Sequence, residues 1–546
     1  MIAAKLWAGL LAVLAATLST GPAAAQTDAV VQADALFSAI TEDRPGAVVA
    51  VARGGETIYA RAFGAADLEQ SRPMTMATRF HVASLSKQFT GLAVALLARD
   101  GRIDLQADVR TYLPELPDFG ARITVEQLLR HTGGLRDQWE LFILSGTDIQ
   151  GYLRQAAVLS LVGHQRELNF APGSEFRYSN TGYTLAAEIV ARVAAMPFRR
   201  FLEERIFAPL GMRDSFVYDD AAELVPGRAQ SYRVGPDGRP QIARLNYATY
   251  GATSVMTTAA DLLRWSRELL HPAVFDAGLI RALAEPGRLA DGTPLNYGLG
   301  MYRTQIAGRA AIMHGGADAG FRAILASFPE EDASLVILSN GAADTASLHE
   351  ALVEIFLNRR APQVLPTVAD PQRVARLAGY YVGSWGPALE LQQDGGRLVR
   401  LLGGQRQAAA FRADGTFEFR APTMRLRPVT AADGTVTGLD ELPLMGPPIR
   451  YRRTERVVPS LRAVTALAGD YRSAELDVTY RLAMVNGRLV LTSLRDPEPV
   501  PLIPAERDRF DAGFSRIAIE RGRNGEAVGF TVTTGRIRNL HFVRQR

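Results

Sequence analysis

The chain has 546 residues, a formal net charge of +4 at pH 7 and no cysteine. This length suggests about two to four domains. The absence of cysteine excludes disulfides, thiol catalysis, thiolate metal sites and a lipoprotein anchor. Arginines alternate with acids and form no long basic run, so the charge indicates a solvated surface and does not favour nucleic acid as a partner.

The first 25 residues have the pattern of a secretory leader. Lys5 precedes an apolar run over about residues 6–18, and small residues follow it at 23–25. The run is short for a bilayer span, which disfavours an uncleaved anchor, and no later segment reaches that length without charges. We therefore expect a signal peptide at 1–25, no membrane span in the mature protein, and a periplasmic or secreted location, in a Gram-negative bacterium.

Strands at both ends of the next region enclose a series of helices. "PGAVVAVARGGETIYARAFG" predicts a hairpin around a Gly54-Gly55 turn. "SLSKQFTGLAVALLARDG" has helical spacing, with Gly101 placed to end the helix, and "ITVEQLLRHTGGL" and "GYTLAAEIVARVA" predict further helices. Short apolar strands alternate with turns over 312–340. This order predicts an α/β domain at 26–361 whose sheet combines N- and C-terminal strands.

The C-terminal part of the chain repeats itself after a linker punctuated by prolines. "LAGYY" begins at Leu377 and "LAGDY" at Leu467, and other matched segments keep the same offset of 90 or 91 residues. Such self-similarity indicates a duplicated domain. Alternating strands and a turn signal predict two small all-β antiparallel barrels at 372–456 and 462–546. Neither shows a catalytic pattern, so a structural cap is favoured over a polymer-binding role.

Lysine is used sparingly in this chain. Only Lys5 and Lys87 occur, so the mature protein would keep Lys87 alone, three residues after Ser84 on one face of a helix. A serine hydroxyl needs a neighbour that accepts its proton. Lysine can do so when burial or nearby charge lowers its pKa, whereas arginine stays protonated. An S-x-x-K spacing also arises by chance, so the pair alone is weak evidence.

Two further segments place polar residues at the ends of predicted elements. "FRYSNTGY" puts Tyr178 and Asn180 in a loop before a helix, where a helix cap is the simpler interpretation. "MHGGADAGF" puts His314 at a strand end, where the pair Gly315-Gly316 often marks only a bulge or a close backbone approach. Neither segment indicates catalysis by itself.

Taken together, the three segments resemble the signature of the serine β-lactamase and penicillin-binding-protein superfamily: S-x-x-K, Y-x-N, and K-T-G or H-x-G. "LLRHTGGL", "APLGMRDS" and "YGLGM" are also similar to segments of the branch that contains class C β-lactamases, D-aminopeptidases and esterases. The similarity covers about residues 34–358. It implies an α/β (α+β) domain with an antiparallel sheet flanked by helices, and the duplicated tail resembles lipocalin-like barrels.

The resemblance implies three residues that carry out the chemistry. Ser84 would be the acylated nucleophile and Lys87 the base that activates it. Tyr178 would carry a proton to the leaving group and later activate the deacylating water. No metal or cofactor is implied.

The resemblance also implies how the substrate is held. Asn180 would bond the acyl-side amide, and His314 and Gly316 would line the opposite wall. The oxyanion hole would consist of the backbone N–H groups of Ser84 and Ala317, two donors about 3 Å from the developing charge.

His314 departs from the lysine that β-lactamases and transpeptidases usually have at this position. A neutral histidine holds a substrate carboxylate less well, which favours a secreted D-amino-acid peptidase or carboxylesterase acting on a small molecule or peptide. A β-lactamase or D-Ala-D-Ala carboxypeptidase is the enzyme alternative, and a weakly catalytic penicillin-binding sensor is the non-enzyme alternative. The chain lacks the G-x-S-x-G of Ser-His-Asp hydrolases and the H-E-x-x-H of zinc hydrolases.

Overall fold

A computed structural model describes residues 22–341, 345–357, 370–402, 405–420, 423–493 and 498–546. Most of the predicted leader and most of the predicted linker lie outside these ranges.

The central sheet consists of six antiparallel strands drawn from both ends of the first domain. Its spatial order is Tyr302–Ile306, Arg309–Asp318, Phe321–Phe328, Ala333–Ser339, Ala47–Arg53 and Glu56–Phe63. Ala47–Arg53 pairs with Ala333–Ser339, which confirms the predicted combination of N- and C-terminal strands. The turn of the predicted hairpin has Gly54 and Gly55 at φ +59° and +82°, where glycine has no Cβ to clash.

Helices cover the central sheet and form a second lobe beside it. The helices are Pro22–Leu36, Ser86–Arg99, Val125–Leu129, Gln138–Leu144, Gln155–Gly163, Asn180–Ala194, Phe198–Leu202, Ala259–Leu270, Ala277–Ala284 and Thr345–Leu357, with 3-10 turns at Ala83–Leu85 and Val109–Thr111 and a π-helical turn at Glu203–Phe207. Two further helices, Pro371–Leu377 and Leu461–Thr465, pack on the C-terminal barrels described below. Short strands outside the main sheets are Ala65–Asp67, Arg72–Pro73, Phe80–His81, Phe216–Val217, Tyr232–Val234, Pro240–Ile242 and Val255–Thr257. Among the helices in the described ranges, none combines the length and apolarity needed to cross a membrane.

Two buried helices meet beside the sheet and position the residues discussed below. Helix Ser86–Arg99 is buried from Ser86 to Leu97, so it forms the centre of the hydrophobic core. It packs against Asn180–Ala194, which is also buried over most of its length. Gly101 follows the first helix at φ +69°, as predicted for a helix end. This packing brings two distant segments of sequence together.

Two sheets of nine antiparallel strands follow, and each is nearly closed into a barrel. The first contains Gly379–Gly383, Leu389–Asp394, Arg397–Leu402, Gln405–Ala408, Ala410–Phe411, Phe417–Arg420, Thr423–Thr430, Val436–Glu441 and Ile449–Thr454. The second contains Gly469–Ser473, Val478–Val485, Arg488–Ser493, Val500–Pro501, Ile503–Glu506, Arg509–Ala512, Ser515–Arg521, Ala527–Thr533 and Leu540–Arg544. Equivalent strands have the same spatial order in both sheets, as a duplication requires.

The second barrel packs directly on the helical lobe. Leu141 and Leu144 of helix Gln138–Leu144 belong to the hydrophobic core of the barrel. The hydroxyl of Tyr480 donates to the carbonyl of Leu144 at 2.6 Å. Residues next to helix Gln138–Leu144 are therefore held partly by the C-terminal repeat.

Candidate active site

Ser84 lies in the 3-10 turn that leads into helix Ser86–Arg99. The preceding residue, Ala83, has φ +49°, a conformation that is costly for a residue with a Cβ and that the surrounding structure must hold. Ala83 and Leu85 are buried, whereas Ser84 is partly exposed. The turn therefore presents the serine hydroxyl to solvent from an otherwise buried segment.

The amine of Lys87 has three close partners. Its Nζ lies 3.1 Å from Ser84 Oγ, 2.8 Å from Asn180 Oδ1 and 2.7 Å from the carbonyl oxygen of Ala252. The last two atoms can only accept, so a neutral amine directs both N–H bonds at them and leaves its lone pair facing Ser84. The side chain has 0% exposure. This arrangement suits an amine that accepts the serine proton.

Burial holds the pKa of Lys87 well below its ordinary value of 10.5, because charge is poorly solvated there. The carboxylate of Asp137 acts in the opposite direction and raises this pKa, while Arg536 lowers it further. The effect of burial dominates. Lys87 is therefore suited to be neutral at a pH where an exposed lysine would be charged.

Asn180 orients Lys87 and is in turn oriented by Asp137. Its Nδ2 and its backbone N–H donate to Asp137 Oδ2 at 2.8 and 2.7 Å. Both polar atoms of the Asn180 side chain thus have protein partners, and a contact with substrate stays a prediction.

The helix-cap interpretation of this segment is wrong. Helix Asn180–Ala194 begins at Asn180, and Ser179 at its N-cap makes no capping bond with its side chain.

Tyr178 lies between the amine and the open cavity. Its half-buried ring has its centroid 4.9 Å from Lys87 Nζ. Desolvation raises the pKa of Tyr178, although a side-chain hydrogen bond with Ser84 partly opposes this rise. The phenol is therefore protonated near neutral pH, and it can act as a proton donor beside Ser84.

His131 supports the tyrosine and was not predicted as a site residue. Its ring centroid lies 4.3 Å from that of Tyr178, and its Nδ1 accepts the backbone N–H of Ser179 at 3.1 Å. Burial holds the pKa of His131 well below its ordinary value, so the ring is neutral. The segment "LLRHTGGL" carries a family resemblance and a helix signal, but nothing in its sequence indicates this role for His131.

His314 lies in the opposite wall and is 2% exposed. Its Nδ1 lies 2.6 Å from the carbonyl of Gly315, which can only accept, so Nδ1 carries the proton. Its Nε2 then accepts from the hydroxyl of Tyr297 at 3.0 Å. Burial lowers the pKa of His314 to about 3, in agreement with the expected neutral ring. Both ring nitrogens have protein partners, and the substrate contact stays a prediction.

At Gly316 the backbone of the sheet comes very close to the serine turn. A Cβ at this position would lie 2.2 Å from the carbonyl oxygen of Val82 and 3.2 Å from the nitrogen of Ser84. At Gly315 the nearest atom would be 3.7 Å away. The strand register is regular here, so the glycine pair marks a close backbone approach and not a bulge. Ala317 comes next along the strand, and its role as an oxyanion donor stays a prediction.

A cavity of about 660 Å³ opens over Ser84. Its walls bring together the residues that the sequence predicted: Ser84, Tyr178, Asn180, His314, Gly316 and Ala317. Lys87 lies beneath them, in contact with Ser84.

Both C-terminal barrels contribute to the cavity wall. Leu444 and Met445 come from the loop that follows Val436–Glu441 in the first barrel, and Arg536 from the loop that follows Ala527–Thr533 in the second. These loops occupy equivalent positions in the two repeats. The barrels thus do more than the structural cap that the sequence favoured, because they also shape the site.

A serine in contact with a buried lysine, with a tyrosine and a glycine-bearing strand around it, is the arrangement expected of an active-site serine hydrolase built on this fold. The chain belongs to the beta-lactamase family, whose model matches residues 33–358.

One of two curated relatives extends the similarity into the C-terminal repeats. The chain is 27% identical over 523 residues to a D-aminopeptidase of Brucella anthropi, covering 92% of this chain and 95% of the relative. It is 28% identical over 390 residues to penicillin-binding protein 4* of Bacillus subtilis, covering 66% of this chain and 85% of the relative.

Solved structures share the fold. A penicillin-binding protein homologue from Pyrococcus abyssi, described as octameric, has a TM-score of 0.54 at 18% identity and covers 87% of this chain and 98% of its own. The D-amino acid amidase of Ochrobactrum anthropi SV3 has a TM-score of 0.53 at 23% identity and covers 61% of this chain and 99% of its own. Together with the family model and the D-aminopeptidase relative, this makes the protein a serine hydrolase of the β-lactamase and penicillin-binding-protein group.

Proposed function

We propose that this protein hydrolyses an amide or ester bond through an acyl-enzyme on Ser84, with Lys87 as general base. The observation that carries the proposal is the environment of Lys87 Nζ. Two obligate acceptors, Asn180 Oδ1 and the carbonyl of Ala252, take its N–H bonds, and Ser84 Oγ lies 3.1 Å away.

The residues of the site account for each proton in this reaction. Ser84 Oγ bonds to the substrate carbonyl carbon while its proton passes to Lys87 Nζ. The negative charge on the carbonyl oxygen is met by the N–H groups of Ser84 and Ala317. Tyr178 then gives its proton to the departing nitrogen or oxygen and regains one from Lys87. Water then attacks the acyl carbon and gives its proton to Tyr178, which passes its own proton to Lys87. The bond between that carbon and Ser84 Oγ breaks, and Lys87 returns the proton to Ser84.

For the substrate, we infer a D-amino-acid amide or peptide, or a carboxylic ester. The D-aminopeptidase that is 27% identical over 92% of this chain supports the first. The neutral ring of His314, with a pKa of about 3, supports both over a β-lactam, because it offers no charge for the carboxylate that such compounds carry.

A substrate panel tests the proposal. Wild-type protein and Ser84→Ala are assayed with p-nitrophenyl esters, D- and L-alanine p-nitroanilides, a D-Ala-D-Ala peptide and nitrocefin. We expect Ser84-dependent turnover of an ester or a D-anilide that exceeds turnover of nitrocefin. Preference for nitrocefin or the D-Ala-D-Ala peptide would favour the β-lactamase or carboxypeptidase alternative. Penicillin binding without turnover of any compound would favour the sensor.

A further inference from the structure

The charged side chains that line the cavity are mostly basic. In the described part of the wall they are Arg244, Arg322, Arg536 and Asp318. Arg322 adds little to the excess of positive charge, because the negative charge of Asp318 on the same wall offsets it. Its guanidinium also donates to backbone carbonyls at 3.2 and 2.7 Å. Arg244 and Arg536 therefore have no acidic partner on the described lining itself. The carboxylates of Asp137 and Glu140 lie behind the lining, and their charges act on the guanidinium of Arg536.

Hydrogen bonds of its backbone atoms hold Arg536 in place. Its N–H donates to Glu140 Oε2 at 2.8 Å, and its carbonyl accepts from Asn169 Nδ2 at 2.9 Å. These bonds fix the loop of the second barrel without using the side chain. The guanidinium is thus delivered to the cavity by a loop whose position does not depend on it.

The guanidinium of Arg536 lies beside the reacting groups. Its central carbon is 5.1 Å from the ring centroid of Tyr178, and Nη1 is 3.7 Å from Asp137 Oδ2, a distance too long for a hydrogen bond. The side chain is 40% exposed. Within the described residues, none of the side-chain nitrogens of Arg536 donates a hydrogen bond. The planar set of guanidinium donors is therefore open to a ligand.

Asp137 does not satisfy this arginine. The carboxylate is fully buried and already accepts two N–H groups from Asn180 and one from Trp139. It supplies a nearby negative charge, but its oxygens are committed to other donors. A carboxylate that entered the cavity could pair with the guanidinium in the two-point geometry that arginine favours.

We propose that Arg536 binds a carboxylate of the substrate, so that the enzyme prefers amides or esters that carry an anionic group near the scissile bond. This inference rests on the proposed hydrolase function. It makes the second barrel a determinant of specificity, because it places a fixed positive charge beside Tyr178. The His314 wall, where both ring nitrogens are engaged, stays without charge. A D-amino-acid amide would accordingly bind with its ammonium group directed away from Arg536.

Two matched pairs of esters locate the preferred carboxylate. p-Nitrophenyl hydrogen succinate and p-nitrophenyl butyrate differ in charge on the acyl part, and 3-acetoxybenzoate and phenyl acetate differ in charge on the leaving group. The readout is the ratio of kcat/KM for the anionic and the neutral ester at low ionic strength, where charge effects are least screened.

In Arg536→Gln we expect this ratio to fall on the order of tenfold to a hundredfold in at least one pair, chiefly through KM, as for loss of a hydrogen bond to a charged group. Arg536→Lys keeps the charge but not the planar guanidinium, so its kcat/KM ratio should lie between those of wild type and Arg536→Gln. Arg538→Gln is the matched control. That arginine lies on the same loop but bonds Glu175 at 2.8 and 3.0 Å, and its ratio should stay at the wild-type value.

The outcomes separate the two proposals. Equal ratios in wild type and Arg536→Gln in both pairs would overturn the carboxylate site, and so would an equal loss in Arg538→Gln. If wild-type protein hydrolysed none of the four esters and none of the amide substrates, the proposed function itself would fail.

Discussion

Burial lowers the pKa of Lys87 while hydrogen bonds hold its amine in place, two demands that usually conflict. A direct ion pair with an aspartate would position a lysine but would favour its charged form. Here Asp137 acts through Asn180, whose amide bonds both residues. The carboxylate of Asp137 therefore orients the Lys87 amine indirectly, through Asn180. Burial remains the main influence on the pKa of Lys87.

Replacing Lys87 by arginine should be about as damaging as replacing it by alanine. Arginine stays protonated, so it cannot accept the proton of Ser84. We expect a loss in kcat on the order of a hundredfold or more in both variants, the usual scale for a general base. Ester turnover measures this, and thermal denaturation checks the fold. Near-normal turnover of Lys87→Arg would rule out the general-base role.

Lys87 should also leave a signature in the pH dependence of stability. The unfolded chain protonates this amine below about pH 10.5, whereas the folded chain keeps it neutral down to a much lower pKa. Between these values the unfolded state binds one more proton, so stability rises with pH, by up to about 1.4 kcal/mol per pH unit.

Lys87→Met removes this slope, because methionine does not titrate. The free energy of unfolding of wild type minus that of Lys87→Met should therefore increase from pH 7 to pH 9 in denaturant titrations. Parallel curves would mean that Lys87 keeps an ordinary pKa in the folded protein.

Strand Arg309–Asp318 and the serine turn can hold their backbone N–H groups side by side because their backbones nearly touch at Gly316. Hydrogen-bond donors contributed by a strand and a turn can converge on one oxygen only if no side chain separates them. The regular pairing of this strand with Phe321–Phe328 fixes it in the sheet. The sheet thus sets the position of the wall that faces Ser84.

Gly316→Ala should force this strand away from the turn, because its Cβ would lie 2.2 Å from the carbonyl oxygen of Val82. We expect a loss in kcat on the order of a hundredfold, the scale for losing one oxyanion donor. Gly315→Ala is the matched control, since its Cβ would lie 3.7 Å from the nearest atom. Equal activity in the two variants would show that the close approach does not matter for catalysis.

Across the whole molecule, the second barrel secures the segment that precedes Asp137. Arg136 has a fully buried side chain, and its Nη1 donates to Glu475 Oε2 at 2.7 Å across the interface. Its Nη2 donates to the carbonyl of Asn539 at 3.0 Å. The residue next to Asp137 is therefore fixed by the C-terminal repeat, about four hundred positions away along the chain.

Glu475→Gln should destabilise the protein by about 3–5 kcal/mol, because it removes the buried partner of Arg136 and leaves only the more distant, exposed carboxylate of Glu167 at 3.8 Å. Asp477→Asn, two residues away, is the matched control. Its ion pair with Arg472 is exposed, with side chains 75% and 52% accessible, and should contribute at most about 1 kcal/mol. Chemical denaturation distinguishes these costs. Similar losses in the two variants would contradict the structural importance of the buried pair.

Local patterns predicted much of this architecture. The Ser84 and Lys87 pair follows from one turn of a helix, the first hairpin from its glycine turn, and the two barrels from a constant repeat offset. Asp137 and Arg536 could not be predicted in the same way. Asp137 meets Asn180 across 43 residues, and Arg536 reaches the cavity from the last hairpin of the chain. Such contacts between distant parts of the chain leave no periodic pattern in the sequence from which they could be predicted.

Covalent labelling of Ser84 tests the central claim most directly. Intact-mass spectrometry after exposure to a fluorophosphonate, followed by peptide mapping, counts the adducts and locates them. We expect one adduct per chain on Ser84 in wild type, slow labelling in Lys87→Arg and none in a folded Ser84→Ala. Absence of an adduct in wild type, or an adduct on Ser86 or Ser179, would contradict Ser84 as the nucleophile.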